Sequence, residues 1–369
     1  MLAPLLLAAA LQAQAAGSSL PPETARAIEA LIGARMTQLG VPGLAAAVVA
    51  HEQVVWAAPF GMADLENGVS VRTTTSFRLA SLSKPITAVA VLQLVERGKL
   101  ELDAPIQRYV ASMPEKPWPV TARLLLGHLG GIRHYKDGEF ASTRRYASVT
   151  EALAIFRDDP LEHPPGTKFL YTSYGYNLLG AAVESASGES YLDYVRRNVF
   201  EPAGMFGARD DDLRALIPHR AQGYLKTPSG ELRNSELADT SNKLPGGGLV
   251  ASAEDVARFA MALTGGVLLD RAGLARMLTR QTTKDGKAIG YGMGFFLTDR
   301  GGIREAWHTG GQQRVSNVLY LQPDRHVGVV LLSNLEGIGP QLTELAREVA
   351  ALVVRPPPAL DARGSERLR

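Results

Sequence analysis

Apolar residues recur along the chain at two different periods, and the alternation between them predicts the order of the elements. Ile28, Leu31, Ile32 and Met36 lie three to four apart, which predicts a helix over residues 22–39. Residues 43–50 and 53–58 are apolar and β-rich. They flank His51-Glu52, the pattern of a hairpin. Residues 86–95 are apolar nearly all round, which predicts a helix buried on every side. That helix should end near Arg97-Gly98, a cation followed by a C-cap glycine. Helical spacing continues over 177–184 and 191–200. Ser252-Ala253-Glu254-Asp255 reads as a capping box opening a helix over 256–263. The last third turns to strands, over 291–297, 303–308, 316–321 and 327–332, with Pro323-Asp324 at the last turn. A helix over 341–354 follows, and then a proline-rich tail over 356–369 that reads as disordered. No internal repeat is present.

Strands at both ends and helices between them predict an α/β (α+β) fold. Its antiparallel sheet is built from the two termini and flanked by helices, with a helical subdomain inserted. The expected division assigns 17–80 and 245–355 to the sheet subdomain and 81–244 to the helical one. A site is expected where the two meet.

The first residues change where this fold is expected to work. Residues 1–11 are almost wholly apolar and are followed by Ala13-Gln14-Ala15-Ala16. The run is too short for a membrane span and has the form of an export signal over residues 1–16. The expectation is a periplasmic or secreted protein with no stable membrane insertion after cleavage. No cysteine is present to carry a lipid anchor. The same absence excludes disulfides, thiolate metal sites and cysteine nucleophiles. Charge is nearly balanced, with 39 basic and 37 acidic residues and a net charge of +2. That argues against a nucleic-acid partner, which needs a basic face. The seven histidines are scattered, with no His-Glu-x-x-His helix, and no phosphate-binding glycine loop precedes a helix. No metal or cofactor is expected.

The chemistry is carried by three short motifs. In Ser81-Leu82-Ser83-Lys84, the first and last residues lie on one face of a helix start. The apolar helix behind them desolvates Lys84, which favours a neutral amine able to accept a proton. The helix N-terminus offers free backbone N–H groups to a developing oxyanion. Pro85 fits only in a first turn. The second motif is the loop 165–177, in which Tyr171 could relay a proton if a neighbouring cation lowered its pKa. The third is His308-Thr309-Gly310-Gly311 at a strand end. Its glycines admit a substrate backbone, and His308 could act as a donor or a cation.

Ser-x-x-Lys, a tyrosine loop and a His/Lys-Thr-Gly strand, in that order, resemble the class C β-lactamase and penicillin-binding serine hydrolase family. Leu125-Leu126-Gly127-His128-Leu129-Gly130-Gly131-Ile132-Arg133-His134-Tyr135, Phe169-Leu170-Tyr171-Thr172-Ser173-Tyr174-Gly175-Tyr176 and Gly246-Gly247-Gly248-Leu249 add to it. Within the family the pattern is most similar to the mitochondrial serine β-lactamase-like branch and its bacterial relatives. The resemblance implies that Ser81 attacks a carbonyl and forms an acyl-enzyme. It implies Lys84 as the base, Tyr171 as the proton relay to the leaving group, and the N–H groups of Ser81 and Gly311 as the oxyanion hole. Ser173, His308, Thr309 and Gly310 would contact substrate.

Two positions leave the family pattern. Ser173 stands where the loop usually carries Asn, and His308 where the strand usually carries Lys. Both weaken the expectation of a β-lactam or D-alanyl-D-alanine substrate. A small peptide, amide or ester is the expected substrate class. A peptidase or amidase is the leading reading, and a β-lactamase or promiscuous esterase the alternative. A non-catalytic binding or scaffold module is less consistent with an intact Ser81, Lys84 and Tyr171. Oligomeric state is not legible.

Overall fold

A computed structural model describes residues 19–354. The export signal expected over 1–16 and the tail expected over 356–369 lie outside the described residues. The first helix, α1 (Pro22–Leu39), has the predicted bounds. It is followed by β1 (Gly43–Ala50) and β2 (Gln53–Asp64). His51 and Glu52 both adopt positive φ, at 48° and 55°, the conformation of a two-residue hairpin turn. The second strand runs six residues further than the apolar pattern indicates. Pro59 and Gly61 interrupt that pattern, yet both stay paired with β1.

β1 is buried at every residue. Leu44, Ala46 and Val48 pack into one core with Ile28 and Ile32, and Ala45, Ala47 and Val49 into another with Val91 and Phe259. A strand covered on both faces reads as a continuous apolar run rather than an alternating one.

The sheet is completed by β3 (Val69–Ser70), β4 (Phe296–Arg300), β5 (Ile303–Gln312), β6 (Val315–Gln322) and β7 (Val327–Ser333). Its order is β3-β2-β1-β7-β6-β5-β4, and each neighbouring pair is antiparallel. The first and last long strands are therefore neighbours, with Leu44 opposite Ser333 and Ala50 opposite Val327. The strand expected over 291–297 starts only at Phe296. Tyr291, Met293 and Phe295 are fully buried there, with glycines between them. Gly294 (φ 92°) presses on the helix Ser83–Glu96, where a Cβ would come within 2.9 Å of Ala88 Cβ.

One face of the sheet carries α1 and the last helix, α5 (Gly339–Val354). The other carries α2 (Ser83–Glu96), α3 (Ser173–Ser187) and α4 (Ala253–Thr264). Residues 83–94 of α2 are all buried, as an apolar-all-round helix requires. α3 begins four residues earlier than its apolar spacing suggests, because Thr172 caps it through the N–H groups of Tyr174 and Gly175. The capping box of α4 is complete, with Ser252 and Asp255 satisfying each other's backbone. Residues 191–200 form Tyr191–Val195 and then a π-helical turn, Arg196–Phe200. A small sheet joins Phe77–Arg78, Leu249–Ala251 and Arg209–Asp210 beside α2. Among the described residues, no helix is long and apolar enough to cross a membrane.

Candidate active site

The site begins where the chain leaves Phe77–Arg78 and turns into α2. Ala80 takes φ 50°, rare for a residue with a side chain, and opens the 3-10 turn Ala80–Leu82 that runs into the helix. β5 lies hard against this turn. A Cβ on Gly310 would come within 2.3 Å of the Leu79 carbonyl oxygen and 3.2 Å of Ala80 Cβ, so only glycine fits. This contact sets the third motif beside the first.

Lys84 lies one helical turn on from Ser81 and is wholly buried. Its Nζ is 3.0 Å from Ser81 Oγ, 3.0 Å from Ser173 Oγ and 2.7 Å from the Gly246 carbonyl oxygen. Burial pushes its pKa well below the ordinary lysine value, and the nearby charge of Lys243 pushes it the same way. Both effects favour the uncharged amine, which has two hydrogens and a lone pair. Gly246 O must accept one hydrogen, since a carbonyl cannot donate. Ser173 Oγ can accept the other, which leaves the lone pair for Ser81.

Ser173 owes its place to the cap of α3. Thr172 Oγ1 donates to the Arg133 carbonyl at 2.6 Å, and Thr172 N–H donates to His128 Nδ1 at 3.2 Å. Tyr171, just before this cap, holds its ring 4.8 Å from Lys84 Nζ, with Ser81 beside its hydroxyl. The expected depression of Tyr171 by a cation is not found. Burial raises its pKa, and contact with Ser81 only offsets this. Tyr171 is thus a phenol, a proton donor rather than a phenolate base.

His308 is 1% exposed. Its Nδ1–H donates to the Thr309 carbonyl at 2.7 Å, and Nε2 accepts from the Tyr291 hydroxyl at 3.1 Å. Burial, with Lys84 adding to it, lowers its pKa to about 3. The cationic role expected as an option is therefore corrected: this imidazole is neutral and presents no fixed charge to a carboxylate. Thr309 is half-buried and Gly311 exposed. β4 pairs with β5 only as far as Trp307, so residues 308–312 extend beyond it with that edge free of strand partners.

The structure also gives a place in the site to residues of the supporting motifs to which the sequence assigned no role. The Gly246 carbonyl is one; a Cβ there would lie 2.8 Å from the Ser173 carbonyl, so the glycine run is the signal that marks it. His134 accepts weakly from the Ser173 N–H, at 3.4 Å, and is kept neutral by burial, with its pKa near 4. Tyr135 lies against the His134 ring, with centroids 4.1 Å apart. Both belong to the 125–135 stretch that adds to the resemblance, but no helical or strand spacing gives them a role, because they reach the site by a loop path.

Known proteins resemble the chain over most of its length. The family model described as "Beta-lactamase" matches residues 28–353. The human serine beta-lactamase-like protein LACTB, mitochondrial, is 28% identical, over 87% of this chain and 79% of its own. Penicillin-binding protein 4* of Bacillus subtilis is 30% identical, over 75% of this chain and 64% of its own. Among solved structures, the octameric penicillin-binding protein homologue from Pyrococcus abyssi superposes with a TM-score of 0.77 at 26% identity, covering 89% of this chain and 77% of that one. D-amino acid amidase from Ochrobactrum anthropi shares the fold, with a TM-score of 0.78 at 22% identity, covering 90% and 98%. With the family model spanning almost every described residue, and a serine, a buried lysine and a tyrosine assembled at one helix start, the chain belongs to the beta-lactamase family of serine hydrolases.

Proposed function

We propose that this hydrolase cleaves small peptides or amides through an acyl-enzyme on Ser81. The observation that carries the reading is the hydrogen-bond account of Lys84. Its two hydrogens are taken by Gly246 O and Ser173 Oγ, so its lone pair faces Ser81 at 3.0 Å. Ser81 Oγ–H donates to Lys84 Nζ, and the proton passes to the amine as Oγ attacks the substrate carbonyl. The oxyanion is held by the N–H groups of Ser81 and Gly311. Tyr171 gives its proton to the departing amine and recovers one from Lys84. A water then hydrolyses the ester on Ser81.

The neutral His308 supports uncharged or internal amides over substrates that end in a carboxylate, because no permanent cation stands in that position. A β-lactamase or short-chain esterase is the second reading, favoured by the same Ser81 and Lys84 geometry. An exported location, periplasmic or secreted, belongs to the proposal and is supported by the apolar residues 1–11.

The test is a fluorophosphonate probe followed by mass spectrometry. The adduct is expected on Ser81 and absent in Ser81→Ala; labelling that survives this substitution removes Ser81 from the mechanism. Turnover of a peptide-amide library beside nitrocefin and short-chain esters decides the substrate. Dominant nitrocefin hydrolysis overturns the amidase reading.

A further inference from the structure

His128 holds the backbone on both sides of Tyr171. Its carbonyl accepts from the Leu170 N–H at 2.8 Å, and its Nδ1 accepts from the Thr172 N–H at 3.2 Å. Its ring lies against the Tyr171 ring, with centroids 4.3 Å apart. The residue follows Gly127, the C-cap of the short helix Ala122–Leu126, and is 1% exposed. Three features are unfavourable for a side chain that only fills space. The backbone takes φ 57°, where glycine would be unstrained. A polar imidazole is buried where a leucine would leave no hydrogen bond to water behind. The third concerns the ring hydrogen. A backbone N–H can only donate, so Nδ1 holds the lone pair and the hydrogen sits on Nε2. Nε2 is buried without a hydrogen-bond partner among the described residues, and the ring is enclosed by those of Tyr291 and Tyr176, with centroids 4.8 and 5.2 Å away. What an imidazole supplies here, and glycine or leucine cannot, is the acceptor for the Thr172 N–H.

We infer that His128 is a positioning residue for the hydrolase: its Nδ1, by accepting from the Thr172 N–H, fixes the direction in which Tyr171 is presented to Lys84 and to the leaving group. The inference rests on the reading of Tyr171 as the proton donor to that group. The Thr172 N–H belongs to the rigid peptide that leaves Tyr171, so holding it sets the ψ angle of Tyr171 and the line of its side chain. The Thr172 hydroxyl is already tied to the Arg133 carbonyl and to the start of α3, which leaves the N–H as the tie that faces back toward Tyr171. The ring so placed stands 4.8 Å from Lys84 Nζ. As the tetrahedral adduct on Ser81 collapses, the bond from the carbonyl carbon to the leaving atom breaks. That atom takes the Tyr171 proton, and Tyr171 recovers one from Lys84, which had taken it from Ser81. A phenol turned out of line leaves the attack of Ser81 intact and slows the departure.

The experiment assays the full chain on two esters of one acid. The nitrophenolate of p-nitrophenyl butyrate departs as a stable anion, whereas the ethoxide of ethyl butyrate needs a proton to depart. Both esters give the same butyryl-enzyme, so the ratio of their kcat/KM values reads the leaving-group step. His128→Phe keeps a buried ring and lacks the acceptor. It is expected to lower kcat/KM for ethyl butyrate at least about tenfold and that for p-nitrophenyl butyrate less than about threefold. Equal loss on the two esters, or loss on neither, overturns the inference, because a residue that serves stability alone lowers both by lowering the amount of active enzyme. His128→Asn and His128→Leu are close in size and differ in the acceptor. The ethyl-to-nitrophenyl ratio is expected to be at least about threefold higher in His128→Asn; the same ratio in both overturns the inference, and this pair decides should His128→Phe fail to fold. Tyr171→Phe on the same esters tests the underlying reading. A ratio it leaves unmoved would instead sink the proton-donor role of Tyr171, a separate outcome.

Discussion

At the scale of single residues, the site depends on a lysine whose charge is opposed by burial. Lys84 sits in the folded protein with its pKa well below the ordinary lysine value. The unfolded chain thus binds one more proton over the interval between the two values, and stability rises with pH across it. Lys84→Met removes this liability. It is expected to raise the melting temperature at neutral pH by roughly 2–4 °C, while lowering the acylation rate at least about 100-fold. Calorimetry and probe kinetics on one preparation test both. A lower melting temperature would mean that the three hydrogen bonds of Lys84 outweigh its burial. Ser81 and Lys84 were legible in the sequence because a helix makes three residues apart a spatial statement. The protonation of Tyr171 and His308 was not, since it depends on burial created by distant elements, among them Tyr291 against His308.

At the scale of elements, the close contact between β5 and the turn before α2 matters most. Gly310→Ala forces a Cβ to within 2.3 Å of the Leu79 carbonyl oxygen, and the strand must withdraw. Loss of acylation and of about 1–3 kcal/mol in urea unfolding is expected. Gly311→Ala meets nothing within 4 Å and is expected to fold at wild-type stability. Equal destabilisation by the two would refute the role given to this contact. The five longest helices and most of the long strands could be read from period and capping signals, including the capping box of α4 and the bounds of α1. The strand over 291–297 could not. Its apolar residues are real core residues, but intervening glycines let the chain fold back against α2. The true length of β2 was hidden for the opposite reason, because Pro59 and Gly61 look like breakers and yet remain in register.

At the scale of the whole molecule, a buried polar group fastens α5 to the sheet. Glu305, 3% exposed, accepts from Thr298 Oγ1 at 2.8 Å, Tyr320 OH at 2.8 Å and Arg347 Nε at 3.0 Å. Glu305→Ala strands those donors, and about 3–5 kcal/mol of stability should be lost, measured by chemical denaturation. A loss under about 1 kcal/mol would show that the helix is held by apolar packing alone. The sequence order of strands, helices and strands foretold a sheet made from both ends of the chain. It did not reveal which strands would be neighbours, since register is set by side chains meeting across hundreds of residues. The pairing of β1 with β7 has a consequence for how the protein is made. On a ribosome, residues 43–50 emerge long before their partner, residues 327–333, has been polymerised. Until then β1 has one open edge and an uncovered apolar face, so the nascent chain cannot close its core. Folding must wait for nearly the last residue of the sheet, and such distant pairing is slow to form. Ser81, the proposed nucleophile, takes its position beside β5 and cannot become reactive before that moment.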